Sequence, residues 1–334
     1  MAWYEIPNTN AMSIYFTIVF GIFTVIFVFR LWLKATCGKF TSNVRMDGKT
    51  VLITGGNSGI GKETAKDLAK RGARVIMACR TMDTANKARD EIVKSTGNQN
   101  VVVMKLDLSS QQSIRDFSKE FLRCETRLDL LIHNAGYAGV FKKAKSVDGI
   151  ELTMATNHYG PFLLTHLVIN LMKKSSPARI VVVSSKYHHV STLKPTREGD
   201  LNPIDFWLPG QLYNNSKFAN ILFTLELAKR LKRFNITVNC LHPGMTNSKI
   251  WRNYPICLQI PLAIFKFFLK NSYEGCQTTL FVALSPDLNF VSGRYFRNCR
   301  ESRPNARVFN KQWQTILWDE SRKLMKLTKQ DPII

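Results

Sequence analysis

Val51-Leu-Ile-Thr-Gly-Gly-Asn-Ser-Gly-Ile-Gly61 decides how this chain is read. A short apolar run feeds a turn carrying Gly55, Asn57, Ser58, Gly59, Ile60 and Gly61, and a helix-forming segment, Lys62 to Arg71, follows at once. Strand, tight turn and helix N-terminus are the parts that let backbone N–H groups and a helix dipole hold a pyrophosphate. Glycine serves there because the chain turns sharply and a Cβ would hold phosphates off the backbone. Gly56 to Lys62 also fits the start of a P-loop, G-x-x-x-x-G-K, but Glu63 stands where Ser or Thr would ligate Mg²⁺. The spacing G-x-x-x-G-x-G also differs from the G-x-G-x-x-G of many dinucleotide sites. Taken alone, the turn leaves a glycine-rich loop without a ligand as the alternative.

Outward from this stretch, apolar runs alternate with helix-like segments. Strands are predicted at Val51–Thr54, Arg74–Ala78, Val101–Leu106, Leu128–His133, Ile180–Ser184 and Thr237–His242. Helices are predicted at Lys62–Arg71, Asp83–Ser95, Ser110–Leu122, Gly149–Lys174 and Gln211–Phe234, with an edge strand at Gly293–Phe296 and a last helix at Trp313–Leu327. Strands that are apolar throughout and separated by helices predict a parallel sheet covered on both faces. Right-handed crossovers make this an α/β fold with a doubly wound, Rossmann-type sheet.

Composition adds a location. Among 334 residues, Lys and Arg number 47 against 24 Asp and Glu, a formal charge of +23. Such an excess suits an anionic partner: a membrane surface, a phosphorylated cofactor or nucleic acid. No zinc-ligand spacing or RNA-binding signature is evident, so no metal and no nucleic acid is expected. Ala11 to Phe29 is uncharged and, with Leu31-Trp-Leu33, long enough to span a bilayer core of roughly 30 Å. A cleaved signal peptide is disfavoured by Glu5 ahead of the run, its length and the lack of a small-x-small cleavage site. Arg30, Lys34, Lys39 and Arg45 follow it, which orients the rest of the chain to the cytosol. The seven cysteines lack paired spacing, as in a reducing compartment. The expected layout is an anchor over residues 1–33, a basic linker over 34–48, a catalytic domain over 49–300 and a helical tail over 301–334.

Ligands of open α/β sheets bind at the carboxyl ends of the strands. The second strand ends in Arg80, where an NAD site usually carries Asp or Glu; a guanidinium there suits the 2′-phosphate of NADP(H). The third ends Leu106-Asp-Leu108, where Asp107 either receives an adenine amino group or caps a helix. The fourth ends His133-Asn-Ala-Gly136, a turn in which Asn134, Ala135 and Gly136 let backbone approach a cofactor. Asn157 is polar within a long apolar helix, and the fifth strand ends Val183-Ser-Ser185.

Tyr213-Asn-Asn-Ser-Lys217 opens the next helix, and its i,i+4 spacing puts phenol and ammonium on one face. A free phenol, with pKa about 10, is a poor acid–base catalyst at neutral pH. A neighbouring cation favours the phenolate. Tyr213 could then give a proton to a carbonyl oxygen as hydride reaches carbon, while Lys217 also holds the nicotinamide ribose. A serine hydroxyl would steady the developing oxyanion.

Together these residues resemble the short-chain dehydrogenase/reductase family from about Lys49 to Phe296. Thr54-Gly-Gly-Asn-Ser-Gly-Ile-Gly61 looks like its cofactor motif, and His133-Asn-Ala-Gly136 like its Asn-Asn-Ala-Gly turn with His133 as a departure. By resemblance, Asn157, Ser185, Tyr213 and Lys217 form the catalytic tetrad, with Asn157 supporting a water that links Lys217 to solvent. His242-Pro243-Gly244 resembles the turn beside the nicotinamide, with Ser248 where relatives often have Thr. Within the family the likeness is to membrane-anchored, NADP-dependent retinol dehydrogenases acting as retinal reductases. It implies NADP(H), a small apolar retinoid or other lipid carbonyl as substrate, the endoplasmic reticulum membrane as location, and a homodimer as one arrangement. Steroid, fatty-aldehyde and polyprenoid carbonyls are the rival substrates, and a non-catalytic membrane or lipid-droplet scaffold is the rival class. The apolar run Ile256–Leu269 is read either as a helix packed on the core or as a membrane-facing lid.

Overall fold

The computed structural model describes residues 9–139, 144–196, 210–246 and 269–334. One sheet is built from β1 (Thr50–Thr54), β2 (Arg74–Cys79), β3 (Val101–Lys105), β4 (Leu130–His133), β5 (Ala178–Val183), β6 (Ile236–His242), β7 (Tyr295–Arg297) and β8 (Arg300–Glu301). Its order is β3-β2-β1-β4-β5-β6-β7-β8, parallel as far as β7, with β8 antiparallel at the edge. Val51 of β1 lies opposite Val75 of β2 on one side and Leu130 of β4 on the other. The chain therefore reverses its direction of winding at β1, and that reversal opens a crevice at the carboxyl ends of β1 and β4.

Alternation along the strands sorts side chains into two cores. Leu52, Ile76, Leu131, Ile180 and Val182 point to a face covered by α4 (Gln111–Cys124), α6 (Gly160–Lys174), α7 (Gln211–Leu231) and α9 (Lys311–Leu324). Val51, Ile53, Val75, Met77 and Ile132 point to the other, under α2 (Gly59–Lys70), α3 (Met82–Thr96) and α8 (Ser272–Leu284). The period of two explains why each strand reads as apolar throughout: both faces are covered.

Several boundaries differ from the sequence expectation for local reasons. β4 begins at Leu130, not Leu128, because the buried Asp129 carboxylate accepts from the Thr50 amide (2.9 Å) and Lys49 Nζ (3.0 Å). The predicted helix Gly149–Lys174 is instead a short α5 (Leu152–Met154), a π-helical turn at Ala155–Tyr159, and α6 with Pro161 in its first turn. Helix α8 was not expected at all. Gly275 to Leu280 and Val282 to Leu284 are buried, Gln277, Thr278 and Thr279 included, so no polar face marks a helical period.

An N-terminal helix, α1 (Thr9–Ala35), contains Ser13–Trp32, long and apolar enough by length and composition to cross a membrane. The segment after it lies on the domain: the Phe40 amide donates to Gln277 Oε1 at 3.0 Å, and Arg71 Nη1 donates to the Ser42 and Val44 carbonyls. At the other end of the chain, Leu317, Trp318 and Met325 are buried in the core beside α6 and α7. The run 256–268 and Ser248 lie outside the described residues.

Candidate active site

A cleft of about 560 Å³ runs along the carboxyl edge of the sheet. At one end is the glycine turn. Gly59 has φ +57°, and a Cβ on Gly61 would stand 2.3 Å from the Gly55 carbonyl oxygen, so the turn closes only with glycine there. Ser58 occupies the N-cap of α2 in extended backbone and makes no side-chain cap bond. The first amides of α2 thus face the cleft without a side-chain acceptor, the condition under which a helix N-terminus takes an anion. A dinucleotide pyrophosphate fits this cradle.

The turn is braced from β4. Asn134 Nδ2 donates to the Thr54 and Gly55 carbonyls at 3.0 and 3.2 Å, and the Asn134 and Ala135 amides donate to Thr54 Oγ1, each at 3.1 Å. Asn134 therefore acts inside the protein, and Thr54, which the sequence reading passed over, ties the two strand ends together. Cys79 lies beneath the turn; burial pushes its thiol up to about 11, opposed by the amides of Gly56, Asn57 and Gly55.

Along the adjacent rim, Arg80 is exposed beside Thr81 and Thr84, and Asn57 Nδ2 donates to Thr84 Oγ1 at 2.9 Å. Lys62, in the first turn of α2, is ion-paired with Glu91. Asp107 lines the cleft with Leu108; its Oδ1 accepts from the Ser109 amide (2.9 Å) and hydroxyl (2.6 Å). Helix α4 is capped by Ser110, which accepts from the Ser113 amide, so Asp107 holds the turn before the cap.

At the opposite end, β5 and α7 bring together Ser184, Ser185, Tyr213 and Lys217. The two serines separate by partner. Ser184 Oγ donates to the Lys217 carbonyl at 2.7 Å, whereas Ser185 Oγ accepts from the Tyr187 amide at 3.3 Å. Among the described residues nothing accepts the Ser185 hydroxyl proton, so Ser185 keeps a donor for the cleft. Lys217 is buried, with Nζ donating to the Val183 carbonyl at 2.9 Å and lying 5.5 Å from the centre of the Tyr213 ring. Burial lowers its pKa to about 8. Gly136 lines the cleft between Lys217 and Asn157: a Cβ there would lie 3.5 Å from Lys217 Nζ and 3.8 Å from Asn157 Oδ1.

Asn157 stands behind the cleft wall, on the π-helical turn. Its Nδ2 donates to the Tyr137 carbonyl (2.8 Å) and Ser216 Oγ (2.9 Å), and its Oδ1 accepts from the Tyr137 amide (2.7 Å). A π-turn re-aims one side chain, and here it points that amide at a loop backbone. Pro243 and Gly244 line the cleft beyond β6, and burial lowers the His242 pKa to about 3.

Residues that the sequence reading missed share the cleft: Thr156, Tyr187, Met245 and Thr246 among them. Tyr187 meets Tyr213 edge to face at 6.3 Å. Its position two residues after Ser185 was the available signal. His188 was also missed. It is fully buried, with Nδ1 2.5 Å from the Ser185 carbonyl, while Nε2 accepts from the Asn305 amide at 3.1 Å. Those partners leave the proton on Nδ1.

Comparison with known proteins agrees with this fold. The family model "short chain dehydrogenase" matches residues 49–195 and 206–255. The chain is 43% identical over 290 residues to retinol dehydrogenase 11 of Homo sapiens, covering 87% of this chain and 90% of that protein. It is 42% identical over 315 residues to retinol dehydrogenase 12 of Bos taurus, covering 92% and 98%. Among solved structures, an uncharacterized protein from Mycobacterium Paratuberculosis matches with TM-score 0.68 and 30% identity, over 86% of this chain and 98% of that one. The Pseudomonas aeruginosa RhlG/NADP active-site complex, 24% identical with TM-score 0.61 over 77% and 97% of the two chains, shares the fold.

Proposed function

This chain belongs to the short-chain dehydrogenase family, and on that premise we propose that it reduces the carbonyl of an apolar lipid, retinal above all, using NADPH. The observation that carries the reading is the convergence of Ser185, Tyr213 and the buried Lys217 at one end of a cleft whose other end is an uncapped, glycine-lined helix terminus. A scaffold has no use for a buried ammonium aimed into an open cleft, which costs stability.

Gly55 to Gly61 and the first amides of α2 hold the pyrophosphate, and Arg80 takes the 2′-phosphate. Support for the phosphorylated cofactor comes from the absence of an acid at the end of β2, where Arg80 stands instead; Lys62 is already paired with Glu91, which leaves Arg80 as the cation for the phosphate. When bound, NADPH supplies hydride to the substrate carbonyl carbon. Tyr213 gives its phenolic proton to the carbonyl oxygen, and Ser185 donates a hydrogen bond to that oxygen as negative charge builds. Lys217 supports the phenolate left on Tyr213 and holds the cofactor ribose. Asn157 positions the Tyr137 backbone and Ser216, one residue before Lys217.

Retinal is favoured over other lipid carbonyls by the retinol dehydrogenases that this chain resembles. Ser13–Trp32 anchors the protein in the endoplasmic reticulum membrane as a single span, with the basic residues after it keeping the catalytic domain cytosolic. The test is purified full-length protein with NADPH and a panel of retinal, steroid ketones and long-chain aldehydes, followed by loss of NADPH absorbance and by product. Retinol formed in step with NADPH loss, with NADH a poor substitute, is expected. Failure of every carbonyl in the panel would overturn the enzymatic reading.

A further inference from the structure

The β7–β8 hairpin stands where the anchor meets the domain. Its turn residues Asn298 and Cys299 have φ of 51° and 55°, the two left-handed positions of a tight two-residue hairpin. The chain leaving α1 runs across this turn: a Cβ on Gly38 would fall 2.3 Å from the Asn298 carbonyl oxygen, so backbone rests on backbone. From Ala35, the end of α1, to Gly38 the chain reaches at most about 11 Å. The same turn touches the rim of the cleft. Asn298 Oδ1 accepts from Lys270 Nζ at 2.7 Å, and the Lys270 stem packs against Gly244.

Arg294, Arg297, Arg300 and Arg303 are all exposed on this short hairpin and its continuation. Glu301 is the acid among them, and Arg294 pairs with it at 3.5 Å. Among the described residues Arg297, Arg300 and Arg303 have no ion-pair partner. Lys39, one residue beyond the contact at Gly38, is exposed too. Such a concentration of cations is costly to leave unscreened unless something anionic faces it.

We propose that this arginine hairpin is a docking surface for the anionic headgroups of the membrane in which the chain is anchored. The proposal rests on the anchor reading given above. Complementary charge and continuity with the anchor select the bilayer over other anionic partners, since the short tether holds the turn near the leaflet. Each arginine within a Debye length of an anionic leaflet favours the docked state by about fivefold. Docking there seats the Gly244–Lys270 rim of the cleft against the membrane, so an apolar substrate reaches the site without crossing water.

The test is hydrogen exchange on the full chain in nanodiscs of neutral phosphatidylcholine and in discs containing phosphatidylserine, without cofactor or substrate. Incorporation into discs reports the anchor separately, and omission of substrate keeps the result independent of any turnover. Amides of residues 295–303 are expected to exchange at least about fivefold more slowly in the anionic discs. The triple variant Arg297→Gln, Arg300→Gln, Arg303→Gln should abolish that difference, and high salt should reduce it in the parent. Equal exchange in both discs would overturn the proposal, as would protection that survives in the triple variant. Protection found only in discs loaded with two copies would make the hairpin a contact between chains and overturn it equally.

Discussion

Lys217→Met should make the protein more stable at neutral pH while ending its catalysis. The substitution keeps an unbranched stem and removes a charge from a buried site. Burial lowers the Lys217 pKa to about 8 from an ordinary 10.5. At about 1.36 kcal/mol for each factor of ten in proton affinity, that gap is about 3 kcal/mol. The sign follows from which state holds the proton. Between pH 8 and 10.5 the unfolded chain retains it and the folded one does not, so parent stability rises with pH across that window. Below pH 8 both states are protonated and the parent carries the whole cost. Against this, the variant leaves the Val183 carbonyl without its ammonium donor, which offsets about 1 kcal/mol. The net gain near pH 7 is about 2 kcal/mol, or a rise in Tm of about 4 °C. The charge contribution fades with rising pH and matches the lost hydrogen bond near about pH 10, where the two proteins should be about equally stable; well above pH 10.5 the variant is the weaker by about 1 kcal/mol. Thermal unfolding of both proteins in the same detergent, followed by tryptophan fluorescence at pH 7 and pH 10, measures this. A variant less stable than the parent at pH 7, or a difference independent of pH, would refute the reasoning.

Other perturbations act on single parts of the site. Tyr213→Phe removes the transferable proton but keeps the ring, so turnover should fall by about 10²–10⁴ while NADPH affinity, measured by fluorescence titration, stays within a few-fold. Ser185→Ala should cost turnover heavily, whereas Ser184→Ala, which loses the bond to the Lys217 carbonyl, should lower Tm and leave turnover within a few-fold. Comparable turnover losses in both would undo the distinction drawn between the serines. Arg80→Asp should shift cofactor preference from NADPH towards NADH in steady-state kinetics, and an unchanged preference would place the 2′-phosphate elsewhere. Burial lowers the pKa of His133, His158 and His242 to about 3 and of His166 and His188 to about 4. Stability carried by these neutral rings is complete above pH 6.5 and lost as pH falls towards 4; a urea midpoint that stays level between pH 7 and 5 would contradict it.

How much of this was legible beforehand depends on whether a residue's role left a local mark. The strands were legible because a doubly covered strand must be apolar at every position, and the glycine turn because only glycine fits it. Tyr213 and Lys217 could be paired from spacing alone, since a helix puts i and i+4 on one side. Helix α8 left no such mark, for burial around its circumference erases the period. The π-helical turn was hidden for another reason: its extra residue shifts the hydrogen-bonding frame without changing composition, so Asn157 read as a polar residue inside one long helix. Residue chemistry does not separate Ser184 from Ser185, and family resemblance alone chose Ser185; that Ser184 is taken up by the Lys217 carbonyl depends on how α7 lies across β5. His188 and Thr246 join the site through contacts between distant segments, which no local pattern encodes, whereas Tyr187 could have been found from its place two residues after Ser185. Ser248 and most of the apolar run beyond it lie outside the described residues, so the lid reading rests on sequence.

His188 links the Ser185 turn to a segment 117 positions further along the chain. Its ring joins the Ser185 carbonyl to the Asn305 amide, and Asn305 Nδ2 donates to the His189 carbonyl at 3.0 Å. Arg307 closes the same loop with bonds of 2.6 Å to the Ser191 and Leu193 carbonyls. The segment that clamps Ser185 comes later in the chain than every residue that lines the cleft. The Ser185 turn is therefore held in place only once residues 305–307 have joined it. A stop codon just after Glu301 would remove no residue that lines the cleft, yet would release the Ser185 turn and strip Trp318 from the core. Loss of residues 302–334 should thus be as damaging as a lesion in the site itself.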